Sequence, residues 1–109
     1  MAVEVTARHM NASEEMNDYA RVKAGGLIAE FPRIEHVHVI MDIEKHGHIA
    51  ELVVQARRHL RVEAKEQSDN MRVSLDRAVE KVEKQLRRLE KKVHNHRPHS
   101  GGARAGGGK

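Results

Sequence analysis

The sequence predicts an α+β domain with the element order β-α-β-β-β-α. Four segments alternate apolar and polar residues, which is the period of a strand with one buried face. Two longer segments repeat apolar residues with the period of a helix that packs on one side. We expect a four-stranded sheet with both helices packed on its apolar face and with its polar face left in water.

The first two elements are a strand and a helix. Ala2–Arg8 (AVEVTAR) alternates, with its two valines on one face. Asn11 and Ser13 are N-cap types, and the two glutamates after Ser13 suit a first helical turn. Gly25-Gly26 interrupts the helical period, so we expect a weak last turn or a kink there. Phe31-Pro32 ends the segment.

Three alternating runs then predict three strands joined by hairpins. The joins are Lys45-His46-Gly47-His48 and Arg57-Arg58-His59, and both are short enough for tight turns. Ser68 or Asp69 is expected to cap a long second helix that ends near Val93. The polar sheet face is expected to carry Glu4, Thr6, His36, His38, Asp42, Glu44, Glu51, Gln55, Arg61, Glu63 and Lys65.

Length and composition limit the function classes. The chain has 109 residues, enough for one domain, with one Phe, one Tyr and no Trp, so its core must be aliphatic. It has no Cys, which excludes disulfides and thiol chemistry. No apolar run could span a membrane and the start is not signal-like, which predicts a cytoplasmic protein without membrane contact. We expect a domain over residues 1–95 and a disordered, basic, Gly-rich tail over residues 96–109.

The positive charge is concentrated towards the C-terminus. The net charge is +4, but residues 1–30 hold three basic and five acidic groups. Residues 69–93 hold eight basic and five acidic groups, and the chain after them holds three basic groups and no acidic one. A basic C-terminal half indicates an acidic partner.

The second helix separates its residues into three faces. At about 100° per residue, its apolar residues from Leu75 to Val93 fall in one arc. Asp76, Glu80, Glu83 and Glu90 fall in the next, with Arg87 at the border. A third arc, here called the cationic stripe, holds Arg77, Lys81, Lys84, Arg88, Lys91 and Lys92.

Three interpretations of these charges remain open. In the first, the charges stabilise the helix itself. Two pairs have the i,i+4 spacing of ion pairs worth about 0.2–0.5 kcal/mol each, Glu80–Lys84 and Glu83–Arg87. That interpretation leaves the segregated cations unexplained, whereas a row of them on a rigid helix matches a polyanion backbone. A basic helix that docks on an acidic protein is the alternative. The scarcity of aromatic residues argues against stacking on unpaired bases.

Other chemistries find little support in the sequence. His36 and His38 share a strand face, but a closed zinc site usually needs four converging ligands, so we expect no metal. No nucleophile–base pair, phosphate-loop glycine pattern or carboxylate pair stands out. We therefore expect no enzymatic activity, no cofactor and no small-molecule substrate, and a monomer when the protein is free.

The αβββα part of the predicted order also occurs in double-stranded-RNA-binding domains, which is an analogy of fold alone.

Four segments carry a closer resemblance. They are VTARHM (Val5–Met10), the helix with Tyr19 and Lys23, HVHVIMDIEKHGHIAELVV (His36–Val54) and SDNMRVSLDRAVEKVEKQLRR (Ser68–Arg88). These segments resemble the ribosome hibernation promoting factor and ribosome-associated inhibitor A family. The last is the most specific, through Asp69, Met71, Leu75-Asp76, Lys81, Gln85, Leu86 and Arg87.

The resemblance implies a function without catalysis. Members of the family bind the small ribosomal subunit in the channel used by messenger RNA and by transfer RNA at the A and P sites, and block translation when growth slows. The partner implied here is the small ribosomal subunit, through its ribosomal RNA. Together with the cationic stripe, the resemblance predicts RNA binding by Arg8, His9, Lys23, Arg77, Lys81, Lys84, Arg87, Arg88, Lys91 and Lys92.

The chain departs from the family pattern at three positions. Ala7 stands where the family usually has Gly before Arg-His, and Gly26 stands where a second Lys usually continues the first helix. Arg72 replaces a usual aromatic residue, which removes a packing group and adds a cation. The long form of the family carries a linker and a second, dimer-forming domain. The sequence ends at Lys109, so we expect this chain to resemble the short form.

Overall fold

The computed structural model describes residues 2–94, which form one four-stranded sheet and two helices. The elements are β1 (Ala2–Arg8), α1 (Glu14–Glu30), β2 (Ile34–Glu44), β3 (Gly47–Ala56), β4 (Leu60–Ser68) and α2 (Met71–His94). The predicted order β-α-β-β-β-α is confirmed. The tail predicted to be disordered, residues 96–109, lies outside the described residues, and within α2 the side chains are described as far as Glu90.

The sheet is mixed, and its strands lie in the order β1-β2-β3-β4. β1 runs parallel to β2, with Val5 beside Val39, so the chain must cross over between them, and α1 is that crossover. The β2–β3 and β3–β4 pairs are antiparallel hairpins. The two edges of the sheet are therefore β1 and β4.

Both helices pack on the same face of the sheet, as predicted. The shared core combines side chains of α1, α2 and the strands, and no aromatic residue except Phe31 is among its buried members in the described chain. Leu27, Leu52 and Leu75 are fully buried, and each contributes about 1.5–3 kcal/mol of burial free energy. The central buried positions are Ala20, Ala24, Leu27, Val37, Val39, Met41, Ala50, Leu52, Val54, Leu75, Ala78 and Val82.

The opposite face of the sheet is open but less uniformly polar than predicted. Ile40 and Ile49 belong to it and are buried among their neighbours on this face. The expectation that Asp42 stays in water is wrong, because only 8% of the residue is exposed. His9 covers it, with its Nδ1–H donating to the Asp42 carboxylate at 2.8 Å.

The two helices begin at side-chain caps. Ser13 caps α1, as its residue type predicts, by accepting a hydrogen bond from the Met16 amide at 3.0 Å. The predicted cap of α2 at Ser68 or Asp69 is wrong. The Asn70 side chain accepts from the Arg72 amide at 2.9 Å, and Ser68 is the last residue of β4. α1 continues through Gly25-Gly26 to Glu30, so the glycines do not end the helix.

Two different turns join the antiparallel strands. Lys45-His46 separates β2 from β3, and Gly47 follows with φ of 145° at a place where a Cβ would lie 2.7 Å from the Ser68 carbonyl oxygen. A side chain cannot fit there. Arg57–His59 separates β3 from β4, and Arg58 and His59 both have left-handed backbone conformations, with φ of 66° and 61°.

Candidate nucleic-acid interface

The cationic stripe lies on the solvent side of α2, as the helical period predicts. Arg77, Lys81, Lys84 and Arg88 are exposed, whereas the buried face is made by Leu75, Ala78, Val82 and Leu86. A helix held to the sheet along its whole apolar face keeps the Cα positions of the stripe rigid. Lys91 and Lys92 continue the same helix, but their side chains lie outside the described ones.

Tertiary contacts divide the predicted RNA-binding cations into two groups. Lys81 forms an ion pair with Glu66 of β4, and Arg87 donates to the Glu30 carboxylate of α1 at 2.8 Å. The i,i+4 pairs Glu80–Lys84 and Glu83–Arg87 are not among the ion pairs of residues 2–94, so that expectation is wrong. Arg77, Lys84 and Arg88 form no ion pair in the described part of the chain and are available to a partner.

Glu30 is the centre of a small charged group between the two helices. Its hydrogen bond and charge raise the pKa of Arg87 above the ordinary value for arginine. Partial burial, and then the neighbouring Glu30, raise the pKa of Glu83 above its ordinary value. These contacts tie Arg87 to α1 and neutralise much of its charge, so Arg87 is less available to an external phosphate than a cation without an ion pair.

Lys23 belongs to a second group that joins α1 to α2. Its ammonium lies 3.4 Å from the Asp76 carboxylate, which also accepts a hydrogen bond from the Tyr19 hydroxyl at 2.6 Å. That hydrogen bond raises the pKa of Tyr19 above its ordinary value. The Arg72 guanidinium lies over the Tyr19 ring, 4.6 Å from its centroid, which is a cation–π contact between α1 and α2.

Arg8 and His9 lie at the end of β1, on the edge of the sheet opposite to β4. Both are exposed, and His9 has a left-handed backbone with φ of 55°. The hydrogen bond to Asp42 holds the His9 ring in place. The predicted interface residues therefore form separate groups, one at the end of β1 and the others along α2 and its contact with α1.

The sequence did not reveal the acidic residues that hold these cations. Glu30, Glu66 and Asp76 lie on three different elements, and each binds a cation of the predicted set. Asp76 also binds Tyr19 across 57 residues of sequence. No periodicity could indicate such a pairing, because it depends on how close the elements lie to one another in the fold.

The remaining histidines of the open sheet face contact an acid and a hydroxyl. His36 and His38 lie 3.6 and 3.8 Å from the Glu4 carboxylate, and His38 is hydrogen-bonded to the Thr6 hydroxyl at 2.8 Å. Between residues 2 and 94, no three His, Cys, Asp or Glu side chains are arranged to hold a metal ion. Neither helix of that range is long and apolar enough to cross a membrane.

Comparison with known proteins identifies the family. Residues 3–94 match the model of the Sigma 54 modulation protein / S30EA ribosomal protein family. The chain belongs to this family. The match covers every element of the fold, from β1 to the last residue of α2.

Named relatives and solved structures agree with that assignment. A ribosome hibernation promoting factor of Salmonella typhimurium is 24% identical over 96 residues, which is 88% of this chain and all of the relative. One of Pseudomonas putida is 26% identical over 92 residues, 84% of this chain and 89% of the relative. These similarities confirm the resemblance to ribosome hibernation factors that the sequence segments carry.

Two solved structures share the fold. A ribosomal subunit interface protein from Coxiella burnetii has a TM-score of 0.73 at 21% identity, covering 84% of this chain and 99% of that one. The Protein Y N-terminal domain of Thermus thermophilus has a TM-score of 0.72 at 22% identity, covering 82% and 99%. At these identities the likeness is one of fold.

Much of the family motif in α2 supports the fold. Met71 and Leu75 are buried in the core, and Asp76 binds Tyr19 and Lys23. The Gln85 side chain donates to the Glu63 carbonyl at 3.0 Å, which fastens α2 to the edge of β4. The residues that make the sequence recognisable therefore position the helix, and the exposed cations beside them are what a partner can reach.

Proposed function

We propose that the protein is a ribosome hibernation factor. In this proposal it binds the small ribosomal subunit in the channel used by messenger RNA and by transfer RNA at the A and P sites, and inhibits translation during slow growth or stress. It acts in the cytoplasm by occupying the channel, without catalysis. The observation that carries the proposal is the group of three exposed cations, Arg77, Lys84 and Arg88, on the solvent side of α2, which form no ion pair among the described residues.

The geometry of these cations suits an RNA backbone. Arg77 and Arg88 are eleven residues apart, which is about 16 Å along a helix, and Lys84 lies between them. Their helix is fixed by the core, so little backbone entropy is lost when they bind. Phosphate contacts of this kind recognise shape rather than sequence, as expected of a protein with one Tyr, one Phe and no Trp.

The other predicted residues add to this surface in different ways. Arg8 and His9 would contact RNA from the end of β1, and Lys91 and Lys92 would extend the stripe towards the end of α2. Lys23, Lys81 and Arg87 would have to exchange Asp76, Glu66 and Glu30 for phosphates. Such an exchange costs little for Lys23 and Arg87, since ion pairs at exposed positions are worth about 0–1 kcal/mol.

Charge reversal of the three unpaired cations tests the proposal. The variant R77E/K84E/R88E should fold normally but lose co-sedimentation with small subunits and inhibition of translation in a cell-free system. The matched control is R21E/K45E/K65E, which reverses three exposed cations outside α2. Equal losses in both variants would mean that net charge alone drives binding. Full inhibition by the stripe variant would reject the proposed surface.

The runner-up is a protein-interaction module whose basic helix docks on an acidic protein. Binding measurements on isolated ribosomal RNA and on isolated ribosomal proteins distinguish it from the first proposal. A hibernation factor held by phosphates should bind naked ribosomal RNA of the small subunit, with a log–log salt slope of roughly −2 to −3 for three phosphates. Binding to RNA-free ribosomal proteins, with no affinity for the RNA, would favour the runner-up.

A further inference from the structure

A second basic surface lies at the end of the sheet where β3 turns into β4. The turn itself contributes Arg57 and Arg58, and both side chains are exposed. The Arg57 amide donates to the Arg33 carbonyl at 3.0 Å, so the residue that precedes β2 lies beside the turn. Arg61 follows one residue into β4. We call Arg33, Arg57, Arg58 and Arg61 the arginine end.

The arginine end is adjacent to the cationic stripe. Arg61 and Arg88 line the same cleft of about 370 Å³, whose other walls are Leu60, Val62, Gln85 and Leu89. A smaller cavity beside it is lined by Arg33 together with Leu60 and Leu89. The cleft therefore has an apolar floor and an arginine on each side, one from the stripe and one from the arginine end.

The charges of the arginine end are poorly neutralised within the protein. Arg61 binds Glu63 at 2.7 Å, and Glu90 lines the smaller cavity near Arg33. No ion pair to Arg33, Arg57 or Arg58 occurs among the described residues. Like charges on neighbouring residues repel one another, so folding alone gives no reason to gather them here.

The backbone conformation of the turn also indicates a binding surface. Arg58 and His59 adopt left-handed conformations, which glycine and asparagine enter at little cost and other residues enter with strain. A three-residue hairpin turn normally places glycine at such a position. Arginine is therefore a poor choice for the stability of this turn, and a strained, charged turn is typical of a binding surface.

We propose that the arginine end is a second RNA-contact surface, which continues the cationic stripe across the cleft so that an RNA backbone is held from α2 and from the β3–β4 turn together. This inference rests on the proposed function, because it takes ribosomal RNA as the partner. Guanidinium groups suit this role, since each can form two parallel hydrogen bonds to one phosphate. An acidic protein segment is the other occupant that the charge would allow.

The test removes the two arginines of the turn without straining it. In R57Q/R58N, asparagine tolerates the left-handed backbone, so the melting temperature should be unchanged or raised. The control R21Q/K65Q removes the same charge from α1 and from the open sheet face. Affinity is measured for isolated small subunits and for a structured RNA hairpin, over a series of salt concentrations.

We expect R57Q/R58N to bind both probes at least about fivefold more weakly than the control at low salt. Its log–log salt slope should be less steep by about 1.4 to 1.8, since each phosphate contributes about 0.7 to 0.9. Affinity equal to that of the control on small subunits overturns the inference and leaves the proposed function standing. Weakening on small subunits but not on the hairpin also overturns it, in favour of an acidic protein contact.

The wild-type protein separates this inference from the proposed function. If it fails to bind small subunits but binds the hairpin through the turn arginines, the proposed function is wrong and the RNA-contact surface stands. If it binds neither probe, both proposals are wrong.

Discussion

The cations on the two sides of α2 lie in opposite settings. On the flank that faces α1, Arg87 is held by Glu30, and Asp76 holds Lys23. On the solvent flank, Arg88 is the next residue of the chain and forms no ion pair among the described residues. Exposure alone does not separate these groups, because Arg87 is 56% exposed. The difference is whether an acidic side chain of another element lies within reach.

The comparison predicts that the solvent flank serves binding and the α1 flank serves stability. The variant K84Q/R88Q neutralises cations of the solvent flank. It should weaken binding to small subunits by about 10- to 100-fold at low salt and leave urea unfolding unchanged. Neutralising the α1 flank in K23Q/R87Q should cost several-fold less affinity but up to about 1 kcal/mol of unfolding free energy. Equal losses of affinity would mean that the ion pairs to Asp76 and Glu30 open on the ribosome.

Asp76 should be the most important single residue for stability on the α1 flank. Asp76→Ala leaves the Tyr19 hydroxyl and the Lys23 ammonium without their shared acceptor, and should cost about 1–2 kcal/mol in urea unfolding. Glu80→Ala is the control, since Glu80 is exposed and has no ion pair in the part of the chain that the structure describes. It should change stability by less than about 0.5 kcal/mol. Similar costs for the two variants would contradict the role assigned to Asp76.

The strained turn extends the comparison to the arginine end. Arg58→Gly should raise the unfolding free energy by about 0.5–1 kcal/mol, because glycine relieves the left-handed backbone at this position. Arg57 has no such conformation, so Arg57→Gly should lower stability through the added entropy of the unfolded chain. Thermal unfolding of the two variants gives the comparison directly. A loss of stability in Arg58→Gly would mean that the Arg58 side chain supports the fold.

The smallest effect concerns Glu83, whose pKa is raised by burial and by Glu30. A raised carboxyl pKa means that the folded state prefers the protonated form. The stability contributed by that preference is present below the ordinary pKa of glutamate and is lost as the pH rises through the raised value. Glu83→Gln should therefore raise the urea midpoint slightly at pH 7 and match the wild type below about pH 4. A constant difference across this pH range would rule out titration of Glu83 as the cause.

The sequence by itself determined the elements and their faces. Leu75, Val82 and Leu86 share one side of a helix because successive residues turn by about 100°, whatever surrounds the helix. The alternation of β3 likewise predicts the buried set from Ala50 to Ala56. The side of α2 that carries Arg77, Lys84 and Arg88 follows from the same local geometry, since a residue opposite the apolar arc must face solvent.

Only the tertiary structure decided which charges are already bound. Arg87 lies four residues from Glu83, yet it binds Glu30, which is 57 residues away in sequence. Asp42 alternates as a solvent residue of β2, yet it is buried under His9. In both cases the local sequence pattern predicts one environment for the side chain. The fold instead places a residue from a distant segment within hydrogen-bonding distance of it. Electrostatic contacts depend on distances of a few ångströms between elements, and those distances are set by the core that packs α1 and α2 on the sheet.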